Sequence, residues 1–314
     1  MKEAWAIKPE PIKPDQVKDV YESDIVIIGA GHAGTCAARA ASQAGASVTV
    51  LEQQDRDSQW VLGIGEIGHI NSQWQKDHNI EPVDIDTFVN DWQLRTGNRS
   101  LYPLIKSYAM HCGEAFDWFI EPLTREEKDS IHAVLTPASP NMPKTLNGFH
   151  AWNGTPNMGM QLQTKAIKAN QKLAEEQGAR FFFATYALQL EQTPDKRVTG
   201  VYAKSKNGTI NLYRASKGVI LAAGDYSKNA DMCRYLLAET ADLTEEDSDF
   251  TGHGWDGSGI CMGLWAGGRL EPRSHAAMGG NYSFPGFGLI GATAVLRVNK
   301  HGRRYSDEAF GTHI

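Results

Sequence analysis

Several features that assign a protein to a common functional class are missing from this sequence of 314 residues. No apolar run approaches the length that crosses a membrane, so no membrane span is predicted. Residues 1–20 lack the apolar core and the cleavage site of a signal peptide. The formal net charge of −6 provides no basic footprint, which excludes nucleic acid as an expected partner.

Cysteine is scarce, and its spacing excludes further classes. The 4 cysteines form no C-x-x-C pair, so no c-type haem attachment site and no metal site are predicted. Widely separated cysteines are typical of buried, reduced thiols in a cytoplasmic protein. We therefore expect a cytoplasmic location and free thiols at Cys36, Cys112, Cys233 and Cys261.

Glycine is abundant, with 31 residues, and one glycine cluster directly follows a run of β-branched residues. Asp24–Ile28 shows no polar alternation, which predicts a strand that is buried on both faces. The next glycines have the spacing G-x-G-x-x-G. Gly29 allows the tight turn, Gly31 lets the backbone approach a pyrophosphate, and Gly34 lets the following helix pack closely. The phosphate would then lie at the N-terminus of that helix.

A second strand pattern ends in an acidic residue. Residues 46–51 predict a strand, and Glu52 follows it about 20 residues beyond the first glycine of the motif. A carboxylate at this position accepts hydrogen bonds from ribose hydroxyls and argues against a ribose 2′-phosphate. The combined pattern predicts a site for FAD or NAD rather than NADP. An ordinary βαβ unit without a ligand is the alternative.

The remaining sequence alternates helical and strand patterns, which predicts an α/β fold. Residues 1–22 carry charges and prolines and predict an extended N-terminal arm. Asn207-Gly208 is typical of a tight hairpin turn between two of the later strands. Predicted strands cover residues 180–190, 197–205, 209–214 and 218–224, and predicted helices cover residues 84–120, 162–177, 229–239 and 260–266.

Two further segments are dense in glycine. Residues 63–71 indicate backbone that packs against a flat or charged group, with a mobile loop as the alternative. Residues 251–259 place glycines before a helix of small residues, which is the arrangement that binds phosphate at a helix N-terminus.

Three later segments complete a recognisable order of motifs. Residues 222–225 (Ala-Ala-Gly-Asp) are similar to A-T-G-G, and residues 298–308 are similar to V-N-x-x-G-x-R-F-x-N-E. Residues 257–268 are similar to G-D-G-x-x-M-A-x-x-A-G-A, although Ser258 replaces the acid and Asp256 lies beside it. In this order the motifs resemble the flavoprotein subunits of fumarate reductases and succinate dehydrogenases. That family includes soluble bacterial reductases of α,β-unsaturated carboxylates and ketosteroid dehydrogenases.

The resemblance implies a Rossmann-like FAD-binding domain, with a parallel sheet and an inserted β-meander, followed by the start of a capping domain. We expect the arm at residues 1–22, the FAD-binding domain at 23–270 and the incomplete cap at 271–314. The fumarate-reducing relatives continue further, and they place an arginine where this chain has Thr312. We therefore expect a fragment, part of a split enzyme, or a protein that borrows the remainder from a second chain.

FAD is the cofactor that the resemblance implies. Its pyrophosphate and ribose contacts correspond to the first glycine motif and Glu52, its isoalloxazine contacts to the second glycine segment, and an adenine contact to Ala187. The expected cofactor-binding residues are Gly29, Gly31, His32, Ala33, Gly34, Glu52, Gln53, Gly65, Glu66, Ile67, Gly68, His69, Asn71, Ala187, Ala222, Ala223, Gly224, Asp256 and Ser258.

The implied reaction is hydride transfer between flavin N5 and the activated C=C bond of an unsaturated acid or enone. His275 resembles the family histidine that binds a substrate carboxylate. Arg273 is a candidate carboxylate clamp and Tyr305 a candidate proton donor. A structural histidine, a solvated arginine and a packed tyrosine are the alternatives. The expected partners are a small unsaturated acceptor and an electron donor that is NADH, reduced flavin or a redox protein.

Two other functional classes stay open. An incomplete or noncatalytic FAD-binding module that requires a second polypeptide would carry the same nucleotide motifs. An FAD enzyme of another class, such as a hydroxylase, would share only the N-terminal half of the pattern. Residues 298–308 disfavour the second alternative because that segment belongs to the reductase family.

Overall fold

The computed structural model of this protein describes residues 3–59, 66–96, 98–134, 154–237, 255–271, 275 and 300–303. Contacts divide the chain into two compact units. The first unit contains residues 1–63 and 160–276, and the second unit contains residues 64–159 and 277–314. The domain boundaries expected from the sequence stay predictions.

The strands and helices assigned within the described residues are numbered here in chain order. The strands are β1 (Val17–Ile28), β2 (Val48–Leu51), β3 (His132–Val134), β4 (Thr155–Asn157), β5 (Arg180–Phe182), β6 (Thr185–Gln192), β7 (Val198–Ser205) and β8 (Ile210–Leu221). The helices are α1 (His32–Gln43), α2 (Gln73–Asp77), α3 (Ile85–Arg95), α4 (Tyr102–Ile120), α5 (Arg125–Asp129), α6 (Gly159–Glu176), α7 (Ala230–Leu236) and α8 (Ser258–Trp265).

The first unit is built on a six-stranded sheet with the order β5-β2-β1-β8-β7-β6. Strands β5, β2, β1 and β8 run parallel to one another, whereas β7 pairs antiparallel with both β8 and β6. The predicted α/β class, with a parallel sheet and a β-meander, is therefore confirmed.

The core of the first unit lies on both faces of β1. Val26 and Ile28 pack on one face with Leu51 and Tyr213, while Ile27 packs on the other face against a cluster that includes residues of α1 and α6. Side chains alternate across a strand, so an uninterrupted apolar run fills both faces. Burial of each such side chain contributes about 1.5–3 kcal/mol to stability.

Strand β8 corrects one prediction. Residues 209–214 and 218–224 were expected to form two strands, but Ile210–Leu221 is one continuous strand. Its first part pairs with β7, and it pairs with β1 along its length, from Val17↔Ile210 to Ile28↔Leu221. This pairing also extends β1 back to Val17, so the last residues of the predicted arm belong to the sheet.

Two predicted elements are each divided in the structure. The strand expected over residues 180–190 breaks between β5 and β6, where Ala184 has a left-handed backbone with φ of 49°. The single helix expected over residues 84–120 forms two helices, α3 and α4. The side chain of Asp84 accepts a hydrogen bond from the Thr87 N–H at the start of α3, and Pro103 lies in the first turn of α4. Both residue types are typical of helix N-termini.

The second unit contains α2 to α5 and the antiparallel pair β3–β4. Its core is formed by Ile70, Phe88, Val89, Ala109 and Cys112. No helix in the described ranges is long and apolar enough to span a bilayer. All four cysteines fall within those ranges and are free thiols; three are buried and Cys36 is half-buried.

Candidate functional site

A cavity of about 250 Å³ lies in the first unit, where the parallel strands β1, β2 and β8 end. The carboxyl edge of a parallel sheet is the usual ligand-binding position in α/β folds. Of the predicted cofactor-binding residues, those that line the cavity are Gly29, Gly31, His32, Ala33, Glu52, Gln53, Ala187, Ala222, Ala223, Gly224 and Ser258. Lining residues that the sequence reasoning missed are Ile28, Leu51, Gln54, Thr185, Tyr186 and Trp255.

The three motif glycines have different surroundings. Gly29 has a φ of +100°, and a Cβ there would lie 2.3 Å from the Ala222 oxygen. A Cβ at Gly34 would lie 1.8 Å from the Gly29 oxygen, so α1 could not pack against the turn with any larger residue. A Cβ at Gly31 would meet no atom within 4 Å. Gly31 therefore leaves open space at the cavity wall, next to the N-terminus of α1.

Glu52 is held by backbone N–H groups at the end of β2. It is 5% exposed, and its Oε2 and Oε1 accept hydrogen bonds of 2.8 Å from Ala30 N and Gln54 N. A carboxylate has about four acceptor positions, so capacity remains for ligand hydroxyls. The fixed orientation fits the predicted contact with ribose.

The start of β6 and the start of α8 meet through a polar contact. The Tyr186 hydroxyl donates to Asp256 Oδ2 at 2.8 Å, and the Ser258 N–H donates to Asp256 Oδ1 at 2.9 Å. Burial raises the pKa of Asp256, but the hydrogen bonds from Ser258 and Tyr186 outweigh it, so the pKa is lowered. The Asp256 carboxylate is thus ionised at neutral pH. It lies behind the cavity-lining residues Tyr186 and Ser258 and accepts a hydrogen bond from each.

Small residues at the end of β8 allow other groups to approach. A Cβ on Gly224 would lie 2.0 Å from Trp255 Cδ1, and a Cβ on Gly259 would lie 2.8 Å from the Ala223 Cβ. The predicted small-residue strand ending therefore admits the Trp255 indole and the first turn of α8 against the cavity wall.

His32 is the first residue of α1 and lines the cavity. Its Nε2 lies 3.1 Å from Gln163 Oε1 on α6. Burial lowers the pKa of His32 below its usual value of 6.5, although the Gln163 contact opposes the shift. The imidazole is therefore neutral at pH 7, and it supplies a dipole rather than a charge at this end of the helix.

The predicted residues of the second glycine segment that the structure describes make contacts within the second unit. His69 is 1% exposed, with Nδ1 3.0 Å from the Ile67 oxygen and Nε2 2.8 Å from Ser72 Oγ. Burial lowers the pKa of His69 to about 4. The Asn71 amide pairs with the backbone N–H and C=O of Val83, each at 2.8 Å.

The other residues of this segment also have local backbone partners. Glu66 forms a β-bridge with Asn157, the Ile67 N–H donates to Pro156, and the Gly68 oxygen accepts from the Tyr108 hydroxyl at 2.5 Å. Gly65 lies outside the described residues. The flavin contacts of this segment stay a prediction.

Among the catalytic candidates, His275 belongs to the first unit. Its Nδ1 lies 2.7 Å from the Tyr226 hydroxyl, its Nε2 lies 3.9 Å from Glu271 Oε1, and its backbone N–H donates to Leu236. The sequence pattern gave no sign of Tyr226 or Glu271 as partners. Arg273, Tyr305 and Thr312 lie outside the described residues.

Comparison with known proteins agrees with this geometry. Residues 24–311 match a family model described as an FAD binding domain. A vinyl phenol reductase of Lactiplantibacillus plantarum is 28% identical over 305 residues, which cover 91% of this chain and 56% of that protein. A probable fumarate reductase, Ifc3, of Shewanella frigidimarina is 21% identical over 291 residues, covering 91% of this chain and 46% of that protein.

Solved structures share the fold. The structure of a 3-ketosteroid-delta4-(5alpha)-dehydrogenase from Rhodococcus jostii RHA1 has a TM-score of 0.63 at 21% identity, covering 79% of this chain and 54% of that one. The chain spans about half the length of the curated relatives described above. It belongs to the FAD-binding flavoprotein family of the fumarate reductases and succinate dehydrogenases, and its cofactor is FAD. The predicted family and cofactor are confirmed.

The described cavity fits the nucleotide part of this cofactor. Because Gly31 has no side chain, the space beside its backbone is open, and this space adjoins the N-terminus of α1. That position suits a pyrophosphate, because helix N-termini present N–H donors and a positive dipole end. Glu52 lies at the same cavity wall with acceptor capacity for ribose.

Proposed function

We propose that the chain forms the FAD-binding part of an oxidoreductase that reduces, or introduces, the activated C=C bond of an unsaturated acid or enone. The observation that supports this proposal best is the cavity at the strand ends, lined by Gly31 and Glu52, in a chain matched to the family over residues 24–311. Reductases and a dehydrogenase among its relatives and structural neighbours support the reaction class.

The chain's own residues bind and orient the cofactor. N–H groups at Gly31 and the first turn of α1 would hold the pyrophosphate, and Glu52 would accept from the ribose hydroxyls. Bound FAD would supply the capacity to carry a hydride. Trp255, which lines the cavity, and Asp256, which lies behind the lining residue Tyr186, would limit solvent access from the side of α8.

His275 is proposed to hydrogen-bond a substrate carboxylate or carbonyl. The Tyr226 hydroxyl, 2.7 Å from Nδ1, holds the ring, and Glu271 Oε1 lies 3.9 Å from Nε2. Arg273 is proposed as a second carboxylate contact and Tyr305 as the proton donor. The electron donor is proposed to be NADH, reduced flavin or a redox protein, and a second chain that completes a cap is a further proposed partner.

The test begins with the purified chain incubated with excess FAD and freed of unbound ligand. Retained flavin absorbance supports the cofactor assignment for this chain. The bound flavin is then reduced anaerobically and mixed with fumarate, larger conjugated acids or cyclic enones. Reoxidation by at least one acceptor, with formation of the saturated product, supports the proposal.

A second candidate is a noncatalytic FAD-binding module that acts with another polypeptide. The cavity lined by Gly31 and Glu52 would serve such a module equally well. Tight FAD binding without reoxidation by any acceptor would overturn the enzymatic proposal for this chain and support the module.

A further inference from the structure

The backbone N–H and C=O of Ala30, the residue after Gly29, are both held by side chains, which come from four parts of the first unit. The Ala30 N–H donates to Glu52 Oε2 at 2.8 Å. The Ala30 oxygen accepts from Thr35 Oγ1 at 2.9 Å, from Gln59 Nε2 at 2.9 Å and from Gln171 Nε2 at 3.1 Å. Three donors on one carbonyl exceed its two lone pairs, so this oxygen is held from several directions at once.

These donors form one buried network. Thr35, Gln59 and Gln171 are 0%, 5% and 4% exposed. Gln171 Nε2 also lies 3.0 Å from Gln59 Oε1 and 3.3 Å from Thr35 Oγ1. The three residues come from α1, the loop after β2 and α6, so the network joins the nucleotide turn to elements that are distant in the sequence.

This polar network lies beside apolar core residues, where buried polar groups are costly and therefore suggest a specific role. Ala30 belongs to a core cluster with Ile27, Ala38 and Ala174. Burying two glutamine amides beside such a cluster costs free energy unless their hydrogen bonds are satisfied. A satisfied buried network gains little net stability over apolar packing, but it fixes the orientation of its members.

The orientation has a direct effect on the next N–H group. A peptide bond is planar and trans, so the Ala30 C=O and the Gly31 N–H point in opposite directions. Ala30 is fully buried and its oxygen points into the network, whereas Gly31 lines the cavity. Holding the carbonyl inward therefore turns the Gly31 N–H toward the cavity, where a phosphate oxygen can accept it.

We propose that Gln59 and Gln171 are positioning residues of the FAD site. They do not line the cavity; they fix the Ala30–Gly31 peptide so that its N–H is oriented before the cofactor binds. Binding then orders less of the turn, which is the general route by which pre-organisation raises affinity. The proposal rests on the FAD assignment and is independent of the substrate and reaction proposed above.

The experiment compares Gln59→Leu, Gln171→Leu and the double variant with the wild-type chain. Gln189→Leu is the matched control: Gln189 is 8% exposed and donates to the Glu10 oxygen at 2.7 Å, away from Ala30. FAD affinity is measured by titration of flavin fluorescence at a temperature where every variant is folded. Hydrogen exchange of the amides of residues 30–36 is measured by mass spectrometry without FAD, and thermal unfolding is followed by circular dichroism.

We expect each single glutamine variant to weaken FAD binding by about tenfold, the effect of one hydrogen bond of about 1.4 kcal/mol. The loss of FAD affinity in the double variant should be smaller than the product of the two single fold-changes, because the two amides contact each other. Exchange of residues 30–36 should accelerate in all three, whereas Gln189→Leu should change thermal stability alone.

Unchanged exchange of residues 30–36 in Gln171→Leu overturns the proposal, whatever the FAD affinity. So does a loss of FAD affinity in Gln189→Leu equal to that in Gln171→Leu, since the role would then be general stability. Absence of FAD binding by the wild-type chain would count against the proposed function, while the exchange measurement would still decide the role of the two glutamines.

Discussion

Gly31 and Gly34 belong to one motif, yet an added side chain meets opposite surroundings at the two positions. At Gly34 a Cβ would collide with the Gly29 backbone, which any larger residue must displace. At Gly31 an added Cβ would enter open space, with no atom within 4 Å. Residue-scale geometry thus separates a glycine that close packing requires from a glycine that we propose for ligand approach.

We expect Gly31→Val to abolish FAD binding while the protein keeps its fold. The branched side chain would occupy the space that the phosphates require, whereas its Cβ would meet no protein atom within 4 Å and the backbone φ of −71° suits valine. The measurement is flavin fluorescence titration together with circular dichroism. Gly218→Val is the control, because its Cβ also meets no atom within 4 Å and Gly218 does not line the cavity. Undiminished FAD binding by Gly31→Val would contradict the assignment of the cavity.

His69 predicts a pH dependence of stability. Folding lowers its pKa from 6.5 to about 4, mainly through burial. The unfolded chain therefore binds more protons in this range, and the free energy of unfolding decreases as the pH falls from 6.5 toward 4. The contribution is on the order of 3 kcal/mol. Urea unfolding at neutral pH and near pH 4 should show a smaller decrease for His69→Gln than for the wild type.

The exposed His132 on β3 provides the control, because it lies in the same unit. If His69→Gln and His132→Gln have the same pH dependence as the wild type, the buried environment of His69 is not the cause. The hydrogen bonds at both ring nitrogens of His69 favour a structural role in the second unit.

Which site residues the sequence could reveal depended on whether their signal was local. Glu52 follows its strand directly, and the glycines lie within one short motif, so spacing identified them. Gln59 and Gln171 escaped prediction because their shared partner is a backbone carbonyl remote from both in sequence. Trp255 lies within the glycine-dense segment 251–259, but its contact with Gly224 depends on how β8 and α8 meet and could not be predicted.

At the scale of elements, local pattern predicted the buried strands well and their limits less well. β1 and β2 were predictable because residues 26–28 and all four residues of β2 are buried in the sheet. The continuity of β8 was hidden because the polar residues Ser216 and Lys217 interrupt the strand pattern. Pairing with β1 keeps this segment extended, including Glu22↔Arg214 and Ser23↔Ala215. Tertiary pairing therefore outweighed local preference.

The break between β5 and β6 leads to a prediction about stability. Ala184 has a left-handed φ of 49°, a conformation that costs a residue with a Cβ about 1–2 kcal/mol. Ala184→Gly should relieve this cost and raise the free energy of unfolding by up to about 1 kcal/mol, after the added flexibility of the unfolded chain is subtracted. Urea unfolding measures the change. Ala203→Gly, in ordinary strand conformation on β7, should instead destabilise, and a destabilised Ala184→Gly would contradict the interpretation.

At the scale of the whole molecule, the sheet and the family follow from sequence, while three residues that bear on the proposed reaction lie outside the described ranges. Arg273, Tyr305 and Thr312 all lie there. Hydride transfer to fumarate requires a proton donor within hydrogen-bond reach and a site that excludes water. Thr312 stands where the resemblance implies an arginine.

We therefore expect this chain, supplied with FAD, to reduce fumarate at no appreciable rate. The measurement is anaerobic oxidation of reduced viologen, with fumarate and with larger conjugated acids and enones as separate acceptors. Robust turnover of fumarate would contradict the expectation and direct mutagenesis to His275 and Tyr305. Turnover of the larger acceptors alone would agree with it and reassign the substrate class.

The position of β1 between β2 and β8 has a consequence for the order of events during synthesis. Ile28 pairs with Leu221, and the turn at Gly29 closes against Ala222. On the ribosome, the N-terminal motif must therefore wait for most of the chain to emerge before its second neighbour is available. Pairings of such long sequence separation form slowly. The turn at Gly29, although encoded within the first 34 residues, therefore acquires its neighbour at Ala222 only after residue 222 has emerged, and we expect cofactor binding at this turn to follow assembly of the sheet.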